Sequence, residues 1–319
     1  MSHVVYRPEA FRMTNSPSPH TQSPAVSVIG LGPMGSALAR GFLAGGVPTT
    51  VWNRTRAKAE ALAPEGADVA ADPASAARAA HTVVTCLRDH AATRELLASL
   101  PDGALSGRTV VVLASSTPNE ARATRAWADA QGVDLLIGAI MVPTPLIGTG
   151  NALILYSGGR DLLDRSRPVL ETVAPRSEYV GDDPGSAALL DTGMLDVFFA
   201  GMTGFLHASA MAAAQGSSAA VFAPWAKEML AILPATFDGL AADVDAGHHP
   251  GHRDNLAMEE AALGHIVHTS RESGLDSRLP ELMHGLARTA VERGHGADGW
   301  SRVVDVLRAA PERESAQGG

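Results

Sequence analysis

The sequence predicts an α/β domain in the N-terminal part of the chain, followed by an all-helical domain. Up to about residue 180, short apolar runs alternate with alanine-rich, helix-favouring stretches. This alternation is typical of a parallel sheet covered by helices on both faces. A glycine-rich turn follows the first apolar run, and strand patterns stop after Gly185. We therefore expect a boundary near Pro184, with domains at 25–183 and 184–310.

The elements follow from the spacing of apolar residues. Strands are predicted at 25–29, 49–52, 82–87, 109–113, 133–140, 152–156 and 179–180. In the first domain, helices are predicted at 36–43, 56–63, 73–80, 91–98, 119–131 and 160–172. In the second domain, they are predicted at 186–214, 218–246, 254–273, 279–293 and 299–309. Residues 1–24 and 311–319 are polar, so we expect a disordered N-terminal tail and a frayed C-terminal tail.

The amino-acid composition excludes several classes of function for this protein. The net charge of -9 over 319 residues argues against a nucleic-acid surface, which would need a basic stripe. The single cysteine, Cys86, excludes an internal disulfide and a cysteine-based metal cage. The histidines at 248, 249 and 252 lie beside Pro250 and Gly251 and are interpreted as a loop, so no metal site is predicted. An apolar leader is missing from the first 24 residues, and we expect a cytoplasmic enzyme.

The long apolar stretch at 186–214 suggests the main alternative to a soluble protein, which is that this segment spans a membrane. It carries Asp191, Asp196 and His207, and such groups make it a poor membrane span. A helix that is apolar nearly all round must be covered on every side. We therefore expect a buried helix, and a partner subunit is one way to cover it.

A nucleotide motif directly follows the first predicted strand. Gly30, Leu31, Gly32, Pro33, Met34 and Gly35 match G-x-G-x-x-G between a strand and a helix, the context that gives this pattern meaning. The first glycine allows the tight turn, the second lets a pyrophosphate approach, and the third lets helix and strand pack closely. The helix N-terminus supplies N–H donors to the phosphates.

The end of the second strand favours NADPH over NADH. NAD-binding proteins usually place Asp or Glu there to bind the ribose diol, but this chain has Asn53. Asn53 removes the carboxylate that would repel a 2′-phosphate, and Arg54 can pair with that phosphate bidentately. Thr55 can donate its hydroxyl or cap the next helix, and Lys58 adds positive charge one turn further on. A solvated basic helix start is the alternative interpretation.

The string Val-Ile-Gly-Leu-Gly-Pro-Met-Gly, followed by Val-Trp-Asn-Arg-Thr, resembles the β-hydroxyacid dehydrogenase (6-phosphogluconate dehydrogenase) superfamily and its imine reductase branch. Further strings at 113–118, 138–159, 204–208 and 274–299 agree in order and spacing, so the resemblance covers about residues 25–310. It implies an N-terminal Rossmann domain, a long interdomain helix, an all-α C-terminal domain and an intertwined homodimer. Each active site would then combine one subunit's Rossmann domain with its partner's helical domain.

The resemblance also implies site residues. It places Ser115, Ser116 and Thr117 in a loop beside the nicotinamide, and we expect Leu87 to contact the cofactor as well. Phe198, Phe199 and Met202 follow Asp191 at i+7, i+8 and i+11, so they share its helical face and could wall a substrate pocket or simply pack in the core. On resemblance, the rest of this pocket is assigned to Val142, Leu195, Trp225 and Met258.

Asp191 is the candidate catalytic residue. Hydroxyacid dehydrogenases carry a lysine near the start of this helix, whereas here Asp191 stands at that position and the next lysine is Lys227. A carboxylate suits an iminium cation, which it could hold electrostatically or, if burial raises its pKa, protonate as an imine. Both roles stay open. Apolar neighbours such as Leu190 and Met194 predict that Asp191 is buried, and an unpaired buried carboxylate is costly without a functional reason.

Two other functions compete with imine reduction. A β-hydroxyacid dehydrogenase shares the fold but should need the missing lysine, and a noncatalytic NADPH-binding protein would not need Asp191. Turnover of a cyclic imine separates all three. Phe199 stands where relatives often carry Trp or Tyr, and Ser115 where some reductive aminases have Asn. These departures argue against strong reductive amination, while the natural substrate and stereochemical preference stay open.

Overall fold

The computed structural model describes residues 24–309, which divide into two compact units between Leu195 and Asp196. The predicted tails at 1–24 and 311–319 lie outside the described residues, except for Pro24. An α/β first unit and a helical second unit confirm the predicted fold class.

The first unit is built on one eight-stranded sheet in the order β3-β2-β1-β4-β5-β6-β7-β8. Its strands are β1 Val26–Ile29, β2 Thr49–Trp52, β3 Asp68–Val69, β4 Thr82–Thr85, β5 Thr109–Val112, β6 Asp134–Ile140, β7 Leu153–Gly158 and β8 Arg176–Tyr179. Strand β1 lies between β2 and β4 and is parallel to both. The strand order therefore reverses at the carboxyl end of β1, where open α/β sheets bind their ligands.

Six helices accompany this sheet. They are α1 Pro33–Ala44, α2 Arg56–Glu60, α3 Pro73–Ala79, α4 His90–Ala98, α5 Pro118–Ala130 and α6 Arg160–Val173. Local side chains set several of their starts, since Asp72 caps α3 and Asp89 caps α4 through the backbone N–H groups of Ser75 and Ala92. Such caps satisfy donors that a helix start leaves unpaired.

The prediction of an all-parallel sheet was wrong for the last two strands. Strand β7 pairs antiparallel with β6, and β8 follows the direction of β7. The connection between β6 and β7 contains only a short 3-10 turn at Thr144–Leu146, not the long helix with which a parallel crossover is usually made. The chain therefore returns beside β6 in the opposite direction. The short strand β3 was not predicted at all.

The core of the first unit lies on both faces of the sheet. Strands β1, β4 and β5 are buried at every position, as expected where helices cover both faces. Leu38 and Phe42 of α1 are fully buried on one face with Val28, and Ala121 and Ala128 of α5 are fully buried on the other.

Helix α7, Ser186–Ala214, crosses the division between the units as one continuous helix of 29 residues. It is followed by α8 Ala219–Leu230, α9 Leu233–Ala246, α10 Leu256–Glu272, α11 Arg278–Ala290 and α12 Val303–Arg308. The predicted helix at 218–246 is thus two helices. Pro234 explains the break, because proline fits the first turn of α9 but lacks the N–H that a continuing helix needs.

Candidate active site

The glycine-rich turn joins β1 to α1 in the way that the motif predicts. Gly30 has φ 99°, and a Cβ there would lie 2.5 Å from the Cys86 carbonyl oxygen. A Cβ at Gly35 would lie 2.0 Å from the Gly30 carbonyl oxygen. A Cβ at Gly32, by contrast, would meet no atom of residues 24–309 within 4 Å, its chain neighbours aside. Gly30 and Gly35 are therefore required by packing, while Gly32 leaves an open face for a ligand.

The start of α1 offers hydrogen-bond donors at this open face. Its N-cap residue is Gly32, which has no side chain to cap the helix, and Pro33 occupies the first turn. The first helical bond runs from the Ser36 N–H to the Gly32 carbonyl oxygen at 2.9 Å. Uncapped N–H groups and the helix dipole favour an anion here. The turn therefore fits the pyrophosphate of a dinucleotide.

Asn53 links the glycine-rich turn to the end of β2. Its Oδ1 accepts a hydrogen bond from the Leu31 backbone N–H at 2.9 Å, and its Nδ2 donates to the Thr55 carbonyl oxygen at 3.0 Å. From the sequence, we assigned Asn53 a role only because it lacks a negative charge. Neither hydrogen bond was predicted. A spacing of 22 residues between Asn53 and Leu31 carries no local signal of this contact.

Two cations beside Asn53 are free to bind an anion. Arg54 and Lys58 are exposed, and neither makes an ion pair within residues 24–309. Arg56, between them, pairs with Glu60 at 2.8 Å. Thr55 is the N-cap residue of α2, yet its hydroxyl makes no capping bond. This uncompensated positive charge at the tip of β2 fits a 2′-phosphate.

The end of β4 closes the other side of the turn. The half-buried Leu87 packs close to Gly30, since a Cβ at Gly30 would come within 2.7 Å of Leu87 Cδ2. Cys86 packs against the core, and burial raises the pKa of its thiol to about 11. This agrees with a structural thiol.

Three hydroxyl residues follow β5, and the structure gives them different surroundings. Ser115 is exposed, and its side chain lies near enough to Asp191 to lower the pKa of that carboxyl. The Ser116 hydroxyl is buried and has no partner among the described residues. Thr117 caps α5, with its hydroxyl 3.0 Å from a Glu120 carboxylate oxygen in a capping box. Ser115 is therefore the hydroxyl of this loop that meets the candidate catalytic group.

Asp191 is buried where its neighbours are not. Its exposed fraction is 5%, whereas every other residue of α7 from Leu189 to Thr203 is exposed. Burial raises the pKa of the Asp191 carboxyl, and the Ser115 side chain partly opposes this rise. The carboxyl group can therefore hold a proton at a higher pH than an ordinary aspartate.

The start of α7 is fixed to the first unit by two contacts. Arg122 of α5 pairs bidentately with Asp183, at 2.9 and 2.7 Å. Ser157 at the end of β7 donates its hydroxyl proton to the Pro184 carbonyl oxygen at 2.9 Å. Because α5 begins just after the Ser115 loop, these contacts hold the elements that carry Asp191 and Ser115.

The predicted substrate-pocket residues occupy several elements. Val142 packs against the core of the first unit. Phe198 and Phe199 on α7 are more than half exposed and form an edge-to-face pair with ring centroids 5.8 Å apart. The other four are exposed on α7, α8 and α10: Leu195, Met202, Trp225 and Met258. Their shared role in a pocket stays a prediction.

The histidine cluster has a structural explanation. His249 is buried, and its Nδ1 lies 2.9 Å from the Ser301 hydroxyl. Within residues 24–309, no group of three or more His, Cys, Asp or Glu side chains is arranged to hold a metal ion.

The sheet order and the glycine-rich turn place the chain in the class of dinucleotide-binding proteins. Two known domain families match consecutive parts of the chain. Residues 25–181 match the NAD binding domain of 6-phosphogluconate dehydrogenase. Residues 183–309 match the NADPH-dependent reductive aminase-like C-terminal domain.

Individual relatives narrow this class. The NADPH-dependent reductive aminase of Aspergillus oryzae is 30% identical over 290 residues, which cover 89% of this chain and 97% of that protein. An imine reductase structure from Streptomyces aurantiacus is 37% identical, with a TM-score of 0.85 and coverage of 89% and 99%. The reductive aminase of Aspergillus terreus, in complex with NADPH and ethyl levulinate, is 35% identical, with a TM-score of 0.85 and coverage of 90% and 100%. The chain belongs to the family of NADPH-dependent imine reductases and reductive aminases.

Proposed function

We propose that this protein is an imine reductase that transfers hydride from NADPH to the C=N carbon of cyclic imines or iminium ions and releases amines. The observation that carries the proposal is the buried carboxyl group of Asp191, held beside Ser115 at the start of α7. Membership of the family supports the cofactor and the reaction class.

Different residues of the chain bind different parts of the cofactor. The first turn of α1 and the open face of Gly32 receive the pyrophosphate, and Arg54 with Lys58 receives the 2′-phosphate. Leu87 and the loop from Ser115 to Thr117 line the nicotinamide end. When bound, NADPH supplies the hydride.

Asp191 acts on the nitrogen side of the C=N bond. A carboxylate attracts an iminium cation and accepts a hydrogen bond from its N–H group. With its raised pKa, the same group in its protonated form can donate a proton to a neutral imine. Ser115 lies beside this carboxyl and partly opposes the rise in its pKa. Both protonation states therefore favour C=N substrates.

The same carboxyl argues against alcohol oxidation. Reduction of a ketone develops negative charge on oxygen, and that charge needs a cation or a neutral acid nearby. The ionised carboxylate of Asp191 would repel the developing alkoxide, so only its protonated form could serve a ketone, whereas both forms serve a C=N bond. We therefore place the β-hydroxyacid dehydrogenase reaction second.

We propose further that the protein works as an intertwined homodimer in the cytoplasm, with active sites shared between subunits. The support is the exposed apolar surface of α7 and α8, where Leu206 is 65% and Trp225 is 71% exposed. Apolar surface of this extent marks an interface. In this arrangement the partner subunit supplies side chains of the second unit, Trp225 and Met258 among them, to the pocket.

Helix α7 is also long and apolar enough to cross a membrane. Asp191 and Asp196 would then lie in hydrocarbon, which is costly for a carboxylate. We therefore propose that a second copy of the chain, and not a membrane, covers α7.

We expect preformed imines to be better substrates than separate carbonyl and amine partners. Phe199 stands where relatives often carry Trp or Tyr, and it offers no hydroxyl to an amine. Ser115 replaces the Asn of some reductive aminases and offers a short hydroxyl beside Asp191, where it lowers the pKa of that carboxyl. This pattern favours reduction of a preformed imine over condensation of a carbonyl compound with an amine.

The test is NADPH oxidation with 1-pyrroline-type and dihydroisoquinoline-type cyclic imines, with wild type beside Asp191→Ala and Asp191→Asn. Turnover should fall by roughly 100-fold or more in both variants, the range expected for loss of a general acid. The dissociation constant for NADPH should stay within about twofold of wild type. Full activity in both variants, or no imine turnover by wild type, would contradict the proposal, and a hydroxyacid panel with NADP+ would follow.

A further inference from the structure

We infer that Asn53 is a positioning residue that holds the glycine-rich turn in its binding shape, and that it strengthens the binding of NADH as well as NADPH. This inference rests on the proposed NADPH site. It gives Asn53 a different task from its neighbour Arg54, whose charge serves the 2′-phosphate alone.

The hydrogen bonds of Asn53 carry the inference. Its half-buried side chain accepts from the Leu31 N–H at 2.9 Å and donates to the Thr55 carbonyl oxygen at 3.0 Å. Both ends of the amide are thus bonded to the backbone. A side chain held at its oxygen and at one of its two amide N–H groups supports the shape of the site.

The bond to Leu31 continues a pattern along the end of β2. The Gly30 N–H donates to the Trp52 carbonyl oxygen at 2.9 Å, and the next N–H, that of Leu31, donates to the Asn53 side chain. Two successive residues of the turn are therefore bonded to Trp52, the last residue of β2, and to Asn53, which follows it. This fixes the chain just before Gly32, whose face is open to a ligand.

Such a tie matters because the turn is rich in glycine. Glycine loses more conformational freedom on ordering than other residues, so a turn left loose would be ordered only when the cofactor binds, at a cost in affinity. A turn that Asn53 has already ordered avoids that cost. The benefit concerns the pyrophosphate end, which NADPH and NADH share.

The second bond explains why an amide suits this position better than a carboxylate. Aspartate could accept from the Leu31 N–H, but it could not donate to the Thr55 carbonyl oxygen and would repel a 2′-phosphate. Asparagine makes both bonds without adding charge. The Thr55 end also shapes the short segment that carries Arg54, so NADPH should lose at least as much affinity as NADH when Asn53 is removed.

The experiment compares Asn53→Ala with Arg54→Gln by titrating each protein with NADPH and with NADH and following nicotinamide fluorescence. Asn53→Ala should weaken NADH binding about tenfold, the loss expected for hydrogen bonds of this kind. Arg54→Gln should weaken NADPH binding but leave NADH binding within about twofold of wild type. Thermal unfolding confirms that each variant is folded.

An Asn53→Ala variant that binds NADH like wild type but has lost affinity for NADPH would overturn the inference, because Asn53 would then serve only the 2′-phosphate. Asn53→Leu, which keeps the side-chain volume and removes both bonds, takes the place of Asn53→Ala if the alanine variant does not fold. Failure of wild type to bind NADPH would instead contradict the proposed cofactor site, so the two failures are distinguishable.

Discussion

The two units of this chain treat their apolar side chains in opposite ways. In the first unit, β1, β4 and β5 are buried at every position and the cofactor turn is complete. In the second unit, Trp225, Met229 and Leu206 are each more than 60% exposed. The difference teaches that the sheet of the first unit is covered within a single chain, whereas the second unit leaves large apolar side chains uncovered.

The largest expected effect comes from placing charge on the exposed surface of α7. The double variant Val197→Glu/Leu206→Glu should shift a dimer to monomers, since buried unpaired carboxylates are costly. Turnover should fall by about 100-fold or more because the pocket loses its partner residues, while NADPH binding should persist in the first unit. Analytical ultracentrifugation and cofactor titration measure the two effects.

Leu206→Met is the matched control for this experiment, because it keeps an apolar side chain at the same exposed position. It should leave the mass and the activity as in wild type. A double variant that remains dimeric and active would show that this surface of α7 is not the interface.

The next effect compares two glycines of the same turn. Gly35→Ala should lower the free energy of unfolding by about 2 kcal/mol, because its Cβ would overlap the Gly30 carbonyl oxygen. Gly32→Ala should unfold like wild type, since its Cβ meets no atom of residues 24–309 within 4 Å, its chain neighbours aside, but should weaken NADPH binding about tenfold or more, roughly 1.4 kcal/mol. Thermal unfolding and fluorescence titration separate the outcomes, and unchanged NADPH binding by Gly32→Ala would contradict the assignment of Gly32 to the cofactor face.

An effect of similar size distinguishes two arginines that follow β2. Arg54→Gln should raise the dissociation constant of NADPH about 10- to 100-fold, as expected for loss of a charge-assisted hydrogen bond. Arg56→Gln is the matched control, because Arg56 already pairs with Glu60 at 2.8 Å, and it should change the constant by less than about threefold. Equal losses in the two variants would point to general attraction rather than a phosphate contact.

The smallest expected effect concerns the stability of Asp191→Asn. The folded-state pKa of Asp191 is raised by burial, so wild type loses stability as the pH rises through that pKa and the buried carboxyl ionises. Asparagine carries no such charge. The variant should therefore be more stable near pH 8 by about 1 kcal/mol, or roughly 2 °C in Tm.

This difference should disappear as the pH falls below 3.8, the ordinary pKa of aspartate, where the carboxyl is protonated in both the folded and the unfolded state. Thermal unfolding at a series of pH values measures it. A variant that is less stable than wild type at pH 8 would show that the ionised carboxyl is well satisfied in the fold.

The first unit could be predicted better than the second. The glycine-rich turn and the apolar runs are local signals, and the structure has them where the sequence indicates. The direction of β7 could not be predicted, because alternation of apolar residues does not encode strand direction. The bond between Leu31 and Asn53 joins residues far apart in sequence, and it depends on how β1 and β2 align.

The burial of Asp191 was predicted from the sequence, but the reason for that prediction was wrong. Its apolar neighbours led us to expect a buried carboxyl, and Asp191 is buried. Yet Leu189, Leu190 and Met194 are themselves between 43% and 60% exposed. In this chain the carboxyl lies inside and the apolar side chains lie outside, an arrangement that hydrophobic pattern alone does not suggest.

The surroundings of Cys86 have a practical consequence. It is the single cysteine of the chain, and with a pKa of about 11 its thiol stays protonated at neutral pH, so thiol-directed probes should react with it slowly. A cysteine introduced at Val197, on the exposed surface of α7, would therefore accept a fluorescent label selectively. Its emission would report directly whether that surface is wet or covered in solution.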